Sequence, residues 1–332
     1  MFLLRGVAVS FSVFFLLYAL LSFAIAKGWK VAAVFYRQRS QEQLADALFL
    51  ARMLPLAVAF LTTVVFVVPS FLLLEPRWSQ ERLRVLPILL GWAGLVLVAF
   101  GVWNAIKALA KTAHVVQAWR LGAEEIVCPT QIPVFCTTPA NSGRGPGQAS
   151  PPFAVAGIVR PAVFMSPAAA AVLSGPELQS VIRHEMAHVH RRDNLKRLLF
   201  RACAFPFMQR IEHAWADATE AAADDAAVSS TGEALDLAAA LVKLSRLVAE
   251  GSAHTASTGR PADAELTMAL LHAGTTVPDR VERLVAWTQP SPAPARIRRT
   301  RYASALIGAG IFALSYGPLL LGAHAVTELL MQ

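Results

Sequence analysis

The chain has 332 residues and a formal net charge of +8, with 55% hydrophobic residues and only 16% charged ones. Soluble domains usually carry about a quarter charged residues, so this composition excludes an ordinary soluble protein and points to the lipid bilayer. The lysine and arginine surplus lies mostly in loops and beside apolar runs, and no nucleic-acid motif accompanies it, so direct nucleic-acid binding is not expected.

Four apolar runs, at about 6–26, 53–74, 85–103 and 302–325, contain no Asp, Glu, Lys or Arg. Roughly 20 helical residues cross a hydrocarbon core of about 30 Å, so each run predicts a transmembrane helix. The first run also offers a signal-peptide reading, because MFLLR is a basic start and Ala24-Ile25-Ala26 resembles a cleavage site. It is longer than the about 7–15 residues of a signal h-region, which favours a retained helix. Basic residues collect on the cytoplasmic side. They flank the loop after span one (Lys27, Lys30, Arg37, Arg39, Arg52), the segment after span three (Lys107, Lys111, Arg120) and the start of span four (Arg296, Arg298, Arg299, Arg301). The expected location is a cell membrane, multi-pass, with both termini outside and the long segment between spans three and four in the cytoplasm. Cys128, Cys136 and Cys203, an odd set without metal-ligand spacing, suit a reducing compartment.

That segment divides by texture. Residues 104–121 continue span three as a helix, 126–137 read as short edge strands interrupted by prolines, and 141–151 form a loop. Residues 152–157 and 162–165 predict a hairpin. Ser174-Gly175-Pro176-Glu177 has the form of a capping box, and the helix it opens is expected to run to about residue 205. Further helices are expected over 211–228, 233–249, 263–272 and 278–287, with a flexible insert at 251–261. The domain plan is three spans in 1–103, a catalytic domain over 104–290, a Pro/Arg-rich linker at 291–301, a fourth span at 302–325 and a tail at 326–332.

The chemistry concentrates in RHEMAHVHRRDN, residues 183–194. His184 and His188 are four apart and share a helix face, which is the H-E-x-x-H arrangement: two nitrogen ligands for Zn2+ with Glu185 beside them as a general base. A catalytic zinc needs a third protein ligand and an open position for water. A histidine solution would require Gly and His where Arg191 and Asn194 stand, which leaves a glutamate from a following helix. TEAAADDAA supplies it: Glu220 as ligand, with Asp224 one turn later to accept the other N–H of a ligand histidine. The reaction class is peptide-bond hydrolysis at one zinc per chain.

The run PPFAVAGIVRPAVFMSPAAAAVLSGPELQSVIRHEMAHVHRRDN resembles the peptidase core of the bacterial antirepressor-type membrane zinc peptidases. That family includes the sensor-transducers of β-lactam resistance and is related to the prenyl-protein endopeptidases. The likeness covers about residues 1 to 325, with F-A-x-x-G before the site, H-E-x-x-H followed by Asp193, and E-x-x-A-D. It implies a mainly α fold: four transmembrane helices plus a zincin-like (gluzincin) α+β metallopeptidase domain with a small edge-strand sheet. It also implies that Phe153, Ala154, Val155 and Ala156 form the edge strand that pairs with an extended substrate. Arg280 or Arg283, in DRVERL, resembles a late arginine of the related endopeptidases, although Val277 stands where they have a histidine. With Asp193, these two are candidate supporting residues. The implied partners are a protein substrate such as a transcriptional repressor, the bilayer, and a separate sensor protein, because the antibiotic-sensing members continue into an extracellular penicillin-binding domain and this sequence stops at Gln332. Quality-control proteolysis of membrane proteins and non-hydrolytic signal transduction are the alternatives.

Simpler readings attach to the neighbours. His190 and Asp225 are expected to be solvated, Asp225 pointing some 100° away from Asp224. Arg191, Arg192, Lys196, Arg197 and Arg201 are expected to form a basic surface against acidic lipid.

Overall fold

The computed structural model describes residues 2–36, 40–75, 85–121, 123–126, 132–137, 152–158, 160–203, 205–254, 267–269, 277–288 and 316–328. It is mainly helical with one small mixed sheet. Three apolar stretches are long enough to cross a bilayer: Phe2–Trp29, Gln41–Leu74 and Val85–Arg120. They belong to α1 (Phe2–Tyr36), to α2 (Gln41–Thr62) continuing through a π-helical turn (Thr63–Val67) into α3 (Val68–Leu74), and to α4 (Val85–Arg120). Of the expected fourth span, 302–315 lie outside the described residues, and 316–328 are helical.

Glycines let α4 approach α1. A Cβ at Gly91 would lie 2.7 Å from the Ala8 carbonyl oxygen, and one at Gly94 would lie 2.6 Å from that of Phe11. Close backbone packing of this kind replaces the hydrophobic drive that lipid does not supply, and the Ser12 hydroxyl adds a bond to Pro87 O (2.6 Å). The π turn also has an identifiable cause. Pro69 has no N–H to donate to Val65 O four residues earlier, so the ladder loosens there. The Tyr316 hydroxyl donates to that carbonyl instead (3.2 Å), while its ring lies 5.5 Å from Phe66. Tyr316 thereby ties the last helical stretch to this point of the bundle.

Beyond the spans come β1 (Glu124–Ile126), β2 (Val134–Cys136), β3 (Phe153–Ala156), β4 (Ala162–Met165), α5 (Pro167–Val172), α6 (Gly175–Arg191), α7 (Asp193–Ala202), α8 (Gln209–Ala227), α9 (Thr231–His254), β5 (Thr267–Ala269) and α10 (Val277–Val285). The sheet order is β1-β2-β4-β3-β5, with only β2 and β4 parallel. The hairpin forms as expected, with Phe153 opposite Met165. Val155, Val163 and Met165 face Val181, Leu237, Leu241 and Leu244 in the main core, which therefore lies between the sheet and α6 and α9. The other sheet face rests on α4, where Trp119 packs 5.3 Å from the Phe164 ring.

Two expectations are corrected here. The helix opened at Ser174 does not run to residue 205: it stops at Arg192, which takes a left-handed conformation (φ 54°, ψ 40°), and α7 starts afresh at Asp193. Within 263–272 the described residues 267–269 are a strand, not a helix. Their pairing is antiparallel to β3, Ala154 opposite Ala269 and Ala156 opposite Thr267, so a sheet edge that needs a partner overrides the local helical period.

The segment that carries α7 and α8 is bolted to α2. Arg52, 1% exposed, donates from Nε to Glu212 Oε1 (2.8 Å) and from Nη2 to the Cys203 carbonyl. Around it Leu48, Phe200, Met208, Ile211 and Trp215 form an apolar joint between α2, α7 and α8. The basic residues expected to face lipid partly belong to the same joint. Arg191 lies 3.5 Å from Glu42 and 3.6 Å from Asp46, and Lys196 lies 3.2 Å from Asp46. The lipid-facing reading is therefore corrected for these two: carboxylates at the start of α2 stand where it placed lipid.

Candidate metal centre

The site begins with the end of α6. Pro176 sits in the first turn, and Glu177 Oε2 accepts from the Ser174 backbone N–H (2.7 Å) and from Lys243 Nζ (2.7 Å). Such a cap is worth about 1 kcal/mol and fixes where the helix starts. Three turns later His184 and His188 project together toward α8. Ala223 and Ala227 are buried on the side of α8 that carries Glu220, and side chains that small let it lie close to α6.

His184, His188 and Glu220 offer three ligand atoms that all lie within 4.8 Å of one another, buried together. The two Nε2 atoms are 3.2 Å apart, and the Glu220 oxygens are 3.5 Å from His184 Nε2 and 3.7 Å from His188 Nε2. Ligands of a tetrahedral zinc at about 2.0–2.2 Å stand about 3.3–3.6 Å from one another, so the two histidine nitrogens are spaced for such an ion, and a Glu220 oxygen closes the group within 4.8 Å. The other ring nitrogens are also taken. His184 Nδ1 is 3.0 Å from Asp224 Oδ1, and His188 Nδ1 is 2.8 Å from Asp193 Oδ2. A carboxylate beside each Nδ1 favours the tautomer with the proton on that nitrogen, and a cation shared by the two Nε2 atoms, 3.2 Å apart, would use the other one. Burial disfavours charge on His184, but the Asp224 and Glu220 carboxylates outweigh it and hold the imidazole well above its ordinary value. Burial also pushes at Glu220, and its histidine partners and Arg280 bring it down to about 2.

Glu185 is fully buried beside these three residues, and among the described residues neither of its oxygens has a hydrogen-bond partner. Burial pushes its carboxyl up to about 7, against the pull of both histidines.

The supporting residues divide. Asp193, at the start of α7, sits on His188, because the break at Arg192 turns its carboxylate back toward α6. Arg280, on α10, is 3% exposed and spends its guanidinium on carboxylates: Nη1 lies 3.1 Å from Glu220 Oε2, and Nε and Nη2 donate to Asp224 (3.0 and 2.6 Å). Arg283 donates to Asp224 (3.1 Å), to the Ala221 carbonyl (2.9 Å) and to Asp225 (2.6 Å). Asp225 is therefore ion-paired, which corrects its reading as merely solvated. His190 is exposed, with its Nδ1 2.8 Å from Met186 O.

The reading of Phe153 to Ala156 as a free edge strand is also corrected. All four residues are buried, and β3 lies between β4 and β5, so an extended peptide can pair there only after β5 leaves. Sequence reasoning missed Asn194, whose Nδ2 donates to Gly157 O (3.0 Å). No spacing rule marks it, since it faces the sheet only because α7 restarts one residue earlier. No family model, curated protein or solved structure matches the chain, so its functional reading stands on this cluster of His184, His188, Glu220, Glu185 and the carboxylates behind them.

Proposed function

We propose that the protein is an integral-membrane zinc endopeptidase that hydrolyses peptide bonds of a protein substrate at the cytoplasmic face. The observation that carries this reading is the convergence of His184, His188 and Glu220 with a buried carboxylate, Glu185, adjoining them in sequence and in space. Zinc held there supplies a polarising charge for a peptide carbonyl and lowers the pKa of a bound water to about 7. Glu185, a buried carboxylate beside the three, would take a proton from the attacking water and hand it to the leaving amine. Asp193 and Asp224 keep the ligand histidines in the required tautomer. β3 binds the extended main chain of the substrate once β5 has withdrawn.

The remaining parts of the reading are proposed with it: a gluzincin domain, a fourth span, both termini outside, and membership of the antirepressor-type family with a repressor or another cytoplasmic regulator as substrate and a separate sensor protein. The three long apolar helices support the membrane placement. Glu185→Gln tests the reading. The variant should retain zinc and lose about 10²–10⁴-fold in turnover, and proteomics of cells carrying each chain should reveal products formed only by the parent. Equal product yields from both chains would sink the peptidase reading.

A further inference from the structure

We infer that Asn194 is a substrate-positioning residue, fixing which bond of an extended peptide comes to the metal; this rests on the peptidase reading above. Asn194 is 6% exposed, and its Nδ2 donates to the carbonyl of Gly157, the residue that follows β3. That carbonyl cannot easily move. Gly157 adopts φ +101°, and a Cβ there would lie 2.7 Å from Arg160 O, so only glycine makes the turn. Its neighbour Asp193 holds His188 Nδ1 at 2.8 Å. Two consecutive side chains thus form a bracket, one arm on a metal ligand and the other on the end of the strand that binds main chain. α7 also adjoins β5, the segment now paired along β3, so the bracket lies beside the path of any peptide that replaces it. Among the described residues the buried Asn194 Oδ1 has no hydrogen-bond partner, which leaves an acceptor for a passing N–H.

The bracket matters because strand pairing alone does not choose a bond. Main-chain bonds along β3 are satisfied equally well after a slip, and each residue of slip moves the peptide by about 3.3 Å, enough to bring a different bond to the metal. Asn194 sets the height of β3 against His188, and its Oδ1 offers a peptide N–H one acceptor at that fixed height, so a single register satisfies both β3 and Asn194.

The test uses the full chain in lipid nanodiscs, loaded with zinc, with unfolded casein as the probe and mass spectrometry of the product termini as the readout. Asn194→Asp keeps the shape and loses the donor; Asn194→Ala removes the side chain. Both should keep one zinc per chain and cut casein about tenfold more slowly, with cuts spread to neighbouring bonds. The same bonds cut in the same proportions, at whatever rate, would overturn the inference, since a merely structural loss leaves the register alone. Loss of zinc from both variants would overturn it as well, making Asn194 a support of the metal site. If the parent forms no product that Glu185→Gln lacks, the peptidase reading fails and takes this inference with it; if the parent cuts and only the register is unchanged, the peptidase reading stands.

Discussion

Asp193→Ala and Asp224→Ala put the geometry behind the two ligand histidines to a quantitative test. Each removes the carboxylate facing one Nδ1, at 2.8 Å for His188 and 3.0 Å for His184. Losing such a partner typically weakens metal binding about 10–100-fold, or about 1.4–2.8 kcal/mol. The surroundings decide where in that range each variant falls. Of the cations around Asp193, Arg191 (3.8 Å) and Lys196 (3.6 Å) keep Glu42 and Asp46 as partners and the buried Arg197 keeps Glu220, so Asp193→Ala takes the last carboxylate from none of them and should cost about tenfold. Asp224 is the main anchor of Arg280, which is 3% exposed, and also binds Arg283. Without it Arg280 retains Glu220 at 3.1 Å and competes with the metal for that ligand. Asp224→Ala should therefore cost about a hundredfold or more, since an uncompensated buried cation is itself expensive. Zinc affinity is measured by competition with a chelating indicator, on both variants and the parent in nanodiscs. Unchanged affinity in both, or a larger loss at Asp193, would refute the argument.

Three other outcomes are expected. Arg52→Met should lower stability by about 2–4 kcal/mol in thermal unfolding in micelles, because Glu212 and the Cys203 carbonyl lose their donor, whereas Glu212→Gln, at a half-exposed position, should cost less; parity between Arg52→Met and the parent would count against a buried clamp. Gly94→Leu should force α1 and α4 apart and cost at least about 2 kcal/mol in the same assay, while Gly28→Ala, which meets nothing within 4 Å, should be neutral or stabilising. Burial raises the Glu177 carboxyl, but bonds from Lys243 and Ser174 outweigh it and the net shift is downward. Its contribution is then fully present above the ordinary carboxylate value and fades as pH falls through the lowered folded value. Glu177→Gln should flatten the acid side of the stability profile, and an unchanged slope would show that the cap does not titrate with folding.

The candidate metal group and one of its supports were legible because they obey helical arithmetic: His184 and His188 one turn apart on α6, Glu220 and its neighbour Asp224 one turn apart on α8. Asp193 and Asn194 were not. On an unbroken helix Asp193 would point some 140° away from His188, and only the left-handed Arg192, unmarked by glycine or asparagine, brings it back. β5 was misread because ELTMALLH is apolar at helical spacing, and what makes it a strand is the open edge of β3, far away in sequence. Arg191 and Lys196 looked like lipid-facing cations because Glu42 and Asp46, more than a hundred residues earlier, cannot be matched to them from one sequence. Local period located the chemistry, and long-range pairing decided its supports.

The unbroken course of α4 sets a dimension. Its 36 residues make a rod about 54 Å long, of which a hydrocarbon core takes about 30 Å. The rest is a mast, and Trp119 at its head carries the sheet while Gly101, lower down, lies so close to the Ala202 carbonyl that no side chain fits between. Two fixings at different heights on one rod prevent the sheet and α7 from tilting about either. Inserting or deleting a turn of α4 between them would change the altitude of the sheet by about 5.4 Å relative to the end of α7, so the length of this helix is as much a part of the site as its ligands.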